Sequence, residues 1–502
     1  MVQIKDNAAV PRSIAPLRSS ARGSRWIRRG LQFGTGLLLA SSIAACTVVG
    51  PDYQAPETKL EPLQNAASVE ARQTTTPAPA LDQWWAGFND PVLTRIVERT
   101  LAQNLDLEAS VARVRQARAA AEEAGSRLYP QGSLEASISP IHQSTEGPLG
   151  SIARHLPGYD RDQSDYNVGV GASWEIDLFG GLQRGVEAAD AEAEAAEAEH
   201  AGVRVSVVAE AADAYFQIRG AQARLKVAAD QIATDQHLLD LINQRRSSGA
   251  ATDRETAQAE ALLEQAQTTI PPLKTTLEAE HNRLDVLMGV QPGTDGLDLS
   301  ADAGIDAVPA IDPGKDASDL LRRRPDIIAA ERKLAASNAQ IGEAISEYYP
   351  KVSLSGLLGF ESLSAGSLFT GGAFQPQMTA GLHWRLFDFG KVDAEVAQAK
   401  GGNAEALAKY RKTVLQATED VEDAFTSLVQ LEAQNQELGR ETASLTTARD
   451  KSEDAYRGGA ITLTDVLDAD RQLLAAEDDL ARTKADAARA AVTSYRALGG
   501  GW

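Results

Sequence analysis

Apolar and polar positions alternate with period two in four stretches of the chain. Leu134, Ala136 and Ile138 alternate with Ser133, Glu135, Ser137 and Ser139, and Val168, Val170, Ala172, Trp174 and Ile176 with Asn167, Gly169, Gly171, Ser173, Glu175 and Asp177. In the second half Val352, Leu354 and Leu358 stand against Lys351, Ser353 and Ser355. Met378, Ala380, Leu382, Trp384 and Leu386 stand against Gln377, Thr379, Gly381, His383 and Arg385. Successive side chains of a strand point to opposite faces, so each stretch predicts a two-faced strand. The expected spans are about 131–139, 166–178, 351–360 and 376–388.

Each return strand meets a Phe-Gly corner, Phe179-Gly180 or Phe389-Gly390, and the period then changes to that of a helix. The helical pattern runs without proline from about 180 to 248 and from about 390 to 458. Ile218, Leu225, Ile232 and Leu239 recur every seven residues. In the second copy Tyr410, Ala417, Ala424, Leu431, Leu438 and Leu445 form one seam and Val414, Val421 and Leu428 another. A sustained heptad repeat supercoils against other helices, and at about 1.5 Å per residue each helix would be roughly 100 Å long. Each ends at a glycine, Gly249 or Gly459, and a shorter antiparallel helix follows (252–288 and 462–498). Pro271-Pro272 should bend or break the first of these. A further helix is expected from the Asn89-Asp90-Pro91 start to Leu128.

The pattern is duplicated. Gly180, Gly249, Thr252 and Gly289 recur at Gly390, Gly459, Thr462 and Gly499, all shifted by 210, and Tyr129-Pro130 recurs at Tyr349-Pro350 with a shift of 220. The expected organisation is a signal over 1–45, a Pro-, Gln- and Thr-rich extended tether over 46–83, and one repeat over 84–289. A linker over 290–309, a second repeat over 310–499 and a tail over 500–502 complete it. Each repeat reads helix, strand, strand, long helix, helix.

The amino terminus supplies a compartment. Seven Lys/Arg and one acid precede an apolar run, Leu31 to Ala45, that ends in Ile43-Ala44-Ala45-Cys46. A basic region, a short apolar core and small residues before a cut site describe a secretory signal, and the run is too short to span a bilayer. The lone cysteine, placed directly after that core, resembles the lipidated first residue of a bacterial lipoprotein. A lone cysteine is more often a buried apolar side chain; its position argues against that here. Removing 1–45 leaves 42 basic and 69 acidic groups, a net charge of −27, which disfavours nucleic acid. One cysteine makes no disulfide framework and no thiolate metal site. Only Met288 and Met378 remain in the mature chain, too few for a methionine relay.

For an exported chain, four strands of about ten residues match transmembrane β-strands, although half-buried soluble hairpins give the same alternation. Four strands cannot close on themselves, and an open edge is not tolerated in lipid. Two chains would give eight strands and a bore filled by side chains; three chains of four strands give twelve and leave a conduit.

Several stretches now add a resemblance. Cys46-Thr-Val-Val-Gly-Pro-Asp-Tyr, Trp84-Trp85 with Phe88-Asn-Asp-Pro91, Asn104-Leu-Asp-Leu, Leu320-Leu-Arg-Arg-Arg-Pro-Asp326-Ile, Tyr456-Arg-Gly-Gly, Asp465-Val-Leu-Asp468-Ala and Ala497-Leu-Gly-Gly-Gly-Trp502 span the mature chain. Together they resemble the outer-membrane efflux channel family, the exit ducts of tripartite pumps. Within it they resemble the lipoprotein branch of the NodT type, which serves resistance–nodulation–division (RND) pumps. The resemblance implies a mainly α fold with a transmembrane β-barrel, in which a homotrimer forms twelve strands continued by a long periplasmic α-barrel. It also implies an outer-membrane, lipid-anchored location, a periplasmic adaptor (membrane fusion protein) and an inner-membrane RND transporter as partners. No cofactor and no metal are implied.

By the same resemblance the helix turns gate the pore and meet the adaptor. The adaptor-contacting tips are Arg246, Ser248, Gly249 and Ala250 in one copy and Arg457, Gly458, Gly459 and Ala460 in the other. Asp465 and Asp468 match the family's inward acidic constriction, and Glu255 aligns with Asp465. An acid at the start of a helix is favourable in any case, through the backbone dipole. Where the family's second turn can carry an arginine just past the glycine, this chain has Ile461, so that ion-pair network does not transfer. Arg322-Arg323-Arg324 reads as a solvated cluster with a structural role, and His200, His237 and His281 as surface residues.

The exit channel of a protein secretion system would share the fold, and a lipid-tethered coiled-coil scaffold would explain the helices but not the strands. No phosphate loop, metal-ligand cluster or Ser/His/Asp arrangement points to an enzyme.

Overall fold

Backbone pairing joins the four alternating stretches into one antiparallel sheet ordered β1–β2–β3–β4, with β1 at Gln131–His142, β2 at Asp162–Ile176, β3 at Lys351–Ser362 and β4 at Phe374–His383. The structure, a computed structural model, describes residues 48–72, 76–294, 296–297, 299, 304–305, 308–314 and 318–502. Register carries the sequence pattern across the strands: Leu134, Val170, Leu358 and Pro376 form one row, and Ala136, Val168, Phe360 and Phe374 the next. Gln131, Ser173, Ser355 and Thr379 align on the opposite face. The apolar face is open, with Leu134, Ile138, Val170, Leu358, Met378 and Leu382 all exposed. On the polar face Ser133, Glu135, Ser173, Ser355, Gln377 and Thr379 line a trough of about 320 Å³. β1 and β4 each keep one edge unpaired.

β4 stops at His383, short of the expected 388. Its last partner is Lys351, the first residue of β3, and Pro350 before it has no N–H to extend the ladder.

The chain divides into two compact units. One holds the described residues up to Lys59 with Ala117–Ala193 and Arg332–Leu407; the other holds Leu60–Gln116, Glu194–Glu331 and Ala408–Trp502. In the first unit, beside the sheet, a tryptophan within β2 and another just past β4 each tie down the end of the helix before the hairpin. Trp174 Nε1 donates to the Leu128 carbonyl at 2.9 Å and Trp384 Nε1 to the Tyr348 carbonyl at 3.0 Å. Residues 48–53 are strapped to the start of the first long helix, Gly181–Ser247. Val49 N–H bonds the Phe179 carbonyl, Arg184 donates to the carbonyls of Val49 and Gly50 and pairs with Asp52 at 2.8 Å, and Tyr53 packs on Ala191, Ala335 and Ala336.

The second unit is helical around one aromatic-centred core. Trp84 stacks on Tyr495 at 5.2 Å and Phe88 packs on Phe216 at 4.8 Å, among Leu93, Ile96, Ile218, Val421, Phe425 and Leu428. The expected extended tether is in part a packed element. Ala66–Glu70 is a turn of helix with Val69 in this core, and the Glu422 carboxylate accepts from the Gln64 and Asn65 backbone N–H groups. The helix expected from Pro91 through Leu128 breaks at Asn104 into Pro91–Gln103 and Leu105–Ser126. The Asn104 side chain caps Asp106 and Leu107 and donates to the Leu287 carbonyl at 2.9 Å. In the other copy Arg324, 220 residues on, breaks Asp319–Arg323 from Pro325–Ser346 and donates to the carbonyl of Ala497, which is 210 residues past Leu287. Of the basic run, Arg322 and Arg323 are exposed, whereas Arg324 is buried against Asp326 and Asp420. His200 is not a plain surface residue either, since its Nδ1 lies 2.7 Å from Ser110 Oγ.

The second long helix is Lys391–Arg457, and its return helix, Leu463–Ala497, is continuous. The first return helix breaks at Thr269 into Asp253–Thr268 and Ile270–Leu287, just ahead of the two prolines.

Candidate functional site

Both long helices end in the same hydrogen-bonded turn. Gly249 N–H bonds Arg246 O at 2.9 Å and Ala250 N–H bonds Arg245 O at 2.7 Å; Gly459 and Ala460 do the same to Tyr456 and Ala455 at 2.9 and 2.8 Å. The glycines sit at φ +77° and +76°, a left-handed conformation that L side chains adopt only at a cost. Arg246, Ser248, Gly249, Ala250, Arg457, Gly458, Gly459 and Ala460 are all exposed on these turns. Arg246 pairs with Asp253 at 2.7 Å across the first turn, and Arg457 with Glu453 at the second.

Each turn feeds a capped return helix. Thr252 N–H and Oγ1 donate to the Glu255 carboxylate at 2.7 and 2.8 Å, and Glu255 N–H bonds Thr252 Oγ1 at 3.3 Å. In the second copy Thr462 N–H and Oγ1 donate to Asp465 Oδ2 at 2.9 and 2.7 Å. These bonds favour the charged form: the Thr252 backbone holds Glu255 below its ordinary value, and the Thr462 hydroxyl does the same for Asp465. Two of the three acids singled out in the sequence are therefore folded back as caps. Asp468 is exposed and accepts from Gln472 at 2.8 Å.

Beneath the turns Leu238, Leu239, Ile242, Leu262, Leu263, Tyr456, Leu463, Val466 and Leu467 form an apolar cluster. Two turn residues outside the expected adaptor-contacting and gate sets join the copies there. Arg245 donates to the Tyr456 carbonyl at 3.0 Å and lies 4.5 Å over its ring. Tyr456 is buried, its hydroxyl has no hydrogen-bond partner, and burial raises its pKa. The Tyr456-Arg-Gly-Gly string held the signal; the partner, on the other helix, was not visible in it.

Among the described residues no cluster of three or more His, Cys, Asp or Glu could hold a metal ion, and no helix is long and apolar enough to cross a membrane. Cys46 lies outside the described residues.

Comparison with known proteins meets this geometry. The outer membrane efflux protein family model matches residues 96–290 and 317–500, the greater part of both copies. The pyoverdine export outer membrane protein OpmQ of Pseudomonas putida is 32% identical over 432 residues, 86% of this chain and 90% of that one. Nodulation protein T of Rhizobium leguminosarum bv. trifolii is 28% identical over 91% of this chain and 94% of its own length. The solved outer-membrane channel OprN superposes with a TM-score of 0.82 at 34% identity, covering 90% of this chain and 99% of that one. The fold class read from the sequence is the one found: a mainly helical, duplicated chain whose open four-stranded sheet is a single chain's share of a barrel closed by trimerisation. The chain belongs to the outer membrane efflux protein family, and it is an outer-membrane efflux channel component that extends into the periplasm.

Proposed function

We propose that three copies of this chain pair β4 of one with β1 of the next to make a twelve-stranded barrel, the exit duct of a tripartite pump. The observation that carries this is the sheet itself, with two unpaired edges, an exposed apolar face and a polar trough. An unpaired edge in hydrocarbon leaves backbone groups unsatisfied, and three chains remove every edge. The barrel is held at the membrane also by a lipid on Cys46, and cargo arrives from an inner-membrane RND transporter through a periplasmic adaptor. The exposed turn residues from Arg246 to Ala250 and from Arg457 to Ala460 receive that adaptor, and Asp465, Asp468 and Glu255 ring the closed entrance. The relatives bear names as different as pyoverdine export, antibiotic efflux and toluene efflux. That spread supports a passive conduit whose cargo is chosen by pump and adaptor.

Single-channel recording tests this. Purified trimers should conduct, with inward current blocked by multivalent cations, because a ring of like charges attracts them. Asp465→Ala with Asp468→Ala should weaken the block by about tenfold, equivalent to about 1.4 kcal/mol. Unchanged block would refute the acidic ring, and recovery of a stable monomer from mild detergent would sink the trimer.

A further inference from the structure

Two carboxylates are sealed inside the helix packing next to the turns. Asp235, on the first long helix, is 1% exposed and Asp470, on the second return helix, 2%. Register places them in the same layer, where the Asp235 charge acts on Asp470. A Cβ on Gly220 would lie 2.7 Å from Ala485 Cβ, which fixes one layer of the antiparallel pair. Fifteen residues further toward the turn on either helix are Asp235 and Asp470. Stepping on in the same register pairs Leu239 with Val466 and Ile242 with Leu463, all members of the apolar cluster beneath the turns, and stepping back pairs Ile232 with Leu473. The two acids thus occupy one layer of an otherwise apolar seam.

Nothing neutralises them fully. Gln231 Nε2 donates to Asp235 Oδ1 at 2.7 Å, while Oδ2 is buried without a partner. Asp470 borders a small cavity of about 290 Å³ shared with Thr234, His237, Leu238, Arg449, Glu453 and Val466. The charged groups facing the pair are Arg449, Asp450 and Glu453 from the second long helix and His237 from the first. Arg449 itself contacts Asp450 at 3.1 Å. The first return helix supplies Ala259, Leu262 and Leu263 to the adjoining cluster. The buried pair is not duplicated, since the equivalent positions in the other copy hold Leu445 and an exposed Glu260.

We propose that the Asp235–Asp470 layer is a proton-operated latch: proton uptake through the cavity locks the first long helix onto the second return helix, and proton loss frees the turn beyond it. The proposal rests on the turns being the entrance, as argued above.

The sign follows from linkage. Burial pushes Asp235 up to about 6, opposed by the Gln231 bond. Burial likewise pushes Asp470 up to about 6, with Arg449 lowering it and Asp235, Glu453 and Asp450 raising it. An exposed aspartate titrates near ~3.9, so the packed seam binds protons more tightly than the parted one. Packing therefore strengthens as pH falls from about 6 toward about 4, and weakens as pH rises through about 6.

Amide hydrogen exchange on the full-length trimer reads the latch, and conductance measured in parallel reads the gate. After correction for intrinsic rates, exchange in 232–242 and 463–473 should slow about tenfold between pH 7.5 and 5.5, from two sites each shifted by about two units. Open probability should fall with it. Asp235→Asn with Asp470→Asn, isosteric with the protonated acids, should exchange slowly at both pH values. Asp470→Asn alone should keep a smaller response, and His237→Gln the full one. PH-independent exchange in the unaltered protein, a response surviving in the double variant, or one abolished by His237→Gln overturns the latch. Exchange that responds while conductance does not leaves the latch standing and overturns the entrance reading instead.

Discussion

The two strand-to-helix corners carry nearly the same sequence and are held in different ways. At the first, Gly180 alone turns left-handed, at φ +75°, and Val48 of the amino-terminal strap lies against it. Phe179 is stacked on Tyr349 at 4.5 Å and its carbonyl accepts from Val49 N–H. At the second corner Phe389 and Gly390 are both left-handed, at +54° and +84°, and nothing lies within 4 Å of a Cβ on Gly390. Phe389 is fully exposed, Phe387 nearly so, Leu386 more than half and Trp384 half. In place of a strap there is an ion network: Arg385 bridges Glu347 at 2.7 Å and Glu395 at 3.0 Å, and Lys351 joins Glu347. Asp388 caps the helix by accepting from Gly390 and Val392 N–H, bonds that hold its carboxyl below the ordinary range. Duplication kept the turn and let the lock diverge. The copy with the strap hides its aromatic ring, and the copy without it presents the kind of apolar surface that a neighbouring chain would cover.

Substituting the corner glycines gives the largest expected contrast. At Gly180 a Cβ would fall 2.7 Å from Val48 Cγ1 and 2.8 Å from its Cα. Gly180→Ala therefore adds a backbone clash to left-handed strain and should cost about 3 kcal/mol or more. Gly390→Ala meets open space and should cost only the strain, about 1 kcal/mol. Thermal unfolding in detergent, followed by circular dichroism, compares them. Equal losses would mean that the strap does not seat on the first corner.

How far the sequence carried the fold is visible at these corners. Period-two alternation, the Phe-Gly corners and the 210-residue shift were legible because each is a local rule repeated. The break ahead of Pro271-Pro272 was legible for the same reason. The breaks at Asn104 and Arg324 were not, because each depends on a carbonyl more than 170 residues away. The stretch 46–83 reads as a tether because its polar composition masks Val69, and because the guanidinium that grips Val49 and Gly50 is that of Arg184, on another element. At the turns, Asp465 stands out by the family resemblance and Glu255 by its alignment with Asp465. The Thr-x-x-acid spacing of a capping box stands in both copies and accounts for their fold-back onto threonine. Asp235 and Asp470 look like ordinary helix-surface acids until the antiparallel register is known.

The locks themselves come next in size. Arg184 has a side chain only 4% exposed and grips two carbonyls, Asp52 and Glu187. Arg184→Ala leaves those acceptors without a donor and should cost about 2–3 kcal/mol, releasing residues 48–58 to limited proteolysis. Arg385 is about a third exposed, where solvent screening reduces an ion pair to about 0.5–1 kcal/mol. Arg385→Ala should leave the proteolytic pattern unchanged. If both variants freed the amino-terminal segment alike, the division of labour between strap and network would fail.

The smallest contrast lies in the tryptophan ties, the one lock both corners share. Trp174→Phe and Trp384→Phe keep most of the ring and remove only the indole N–H, which donates to the Leu128 or Tyr348 carbonyl. A hydrogen bond of this kind contributes about 1 kcal/mol net. Trp174 is half-buried, so its orphaned carbonyl is poorly placed to recover a water. Trp384 is 50% exposed, and the Tyr348 carbonyl beside it is expected to be rehydrated more readily. The loss should therefore be close to 1 kcal/mol at the first corner and smaller at the second, read as midpoint shifts of a few degrees at most. A larger loss at Trp384 would mean that its exposed face is covered in the assembled trimer, and would move the weight of the second corner from its ion network to the neighbouring chain.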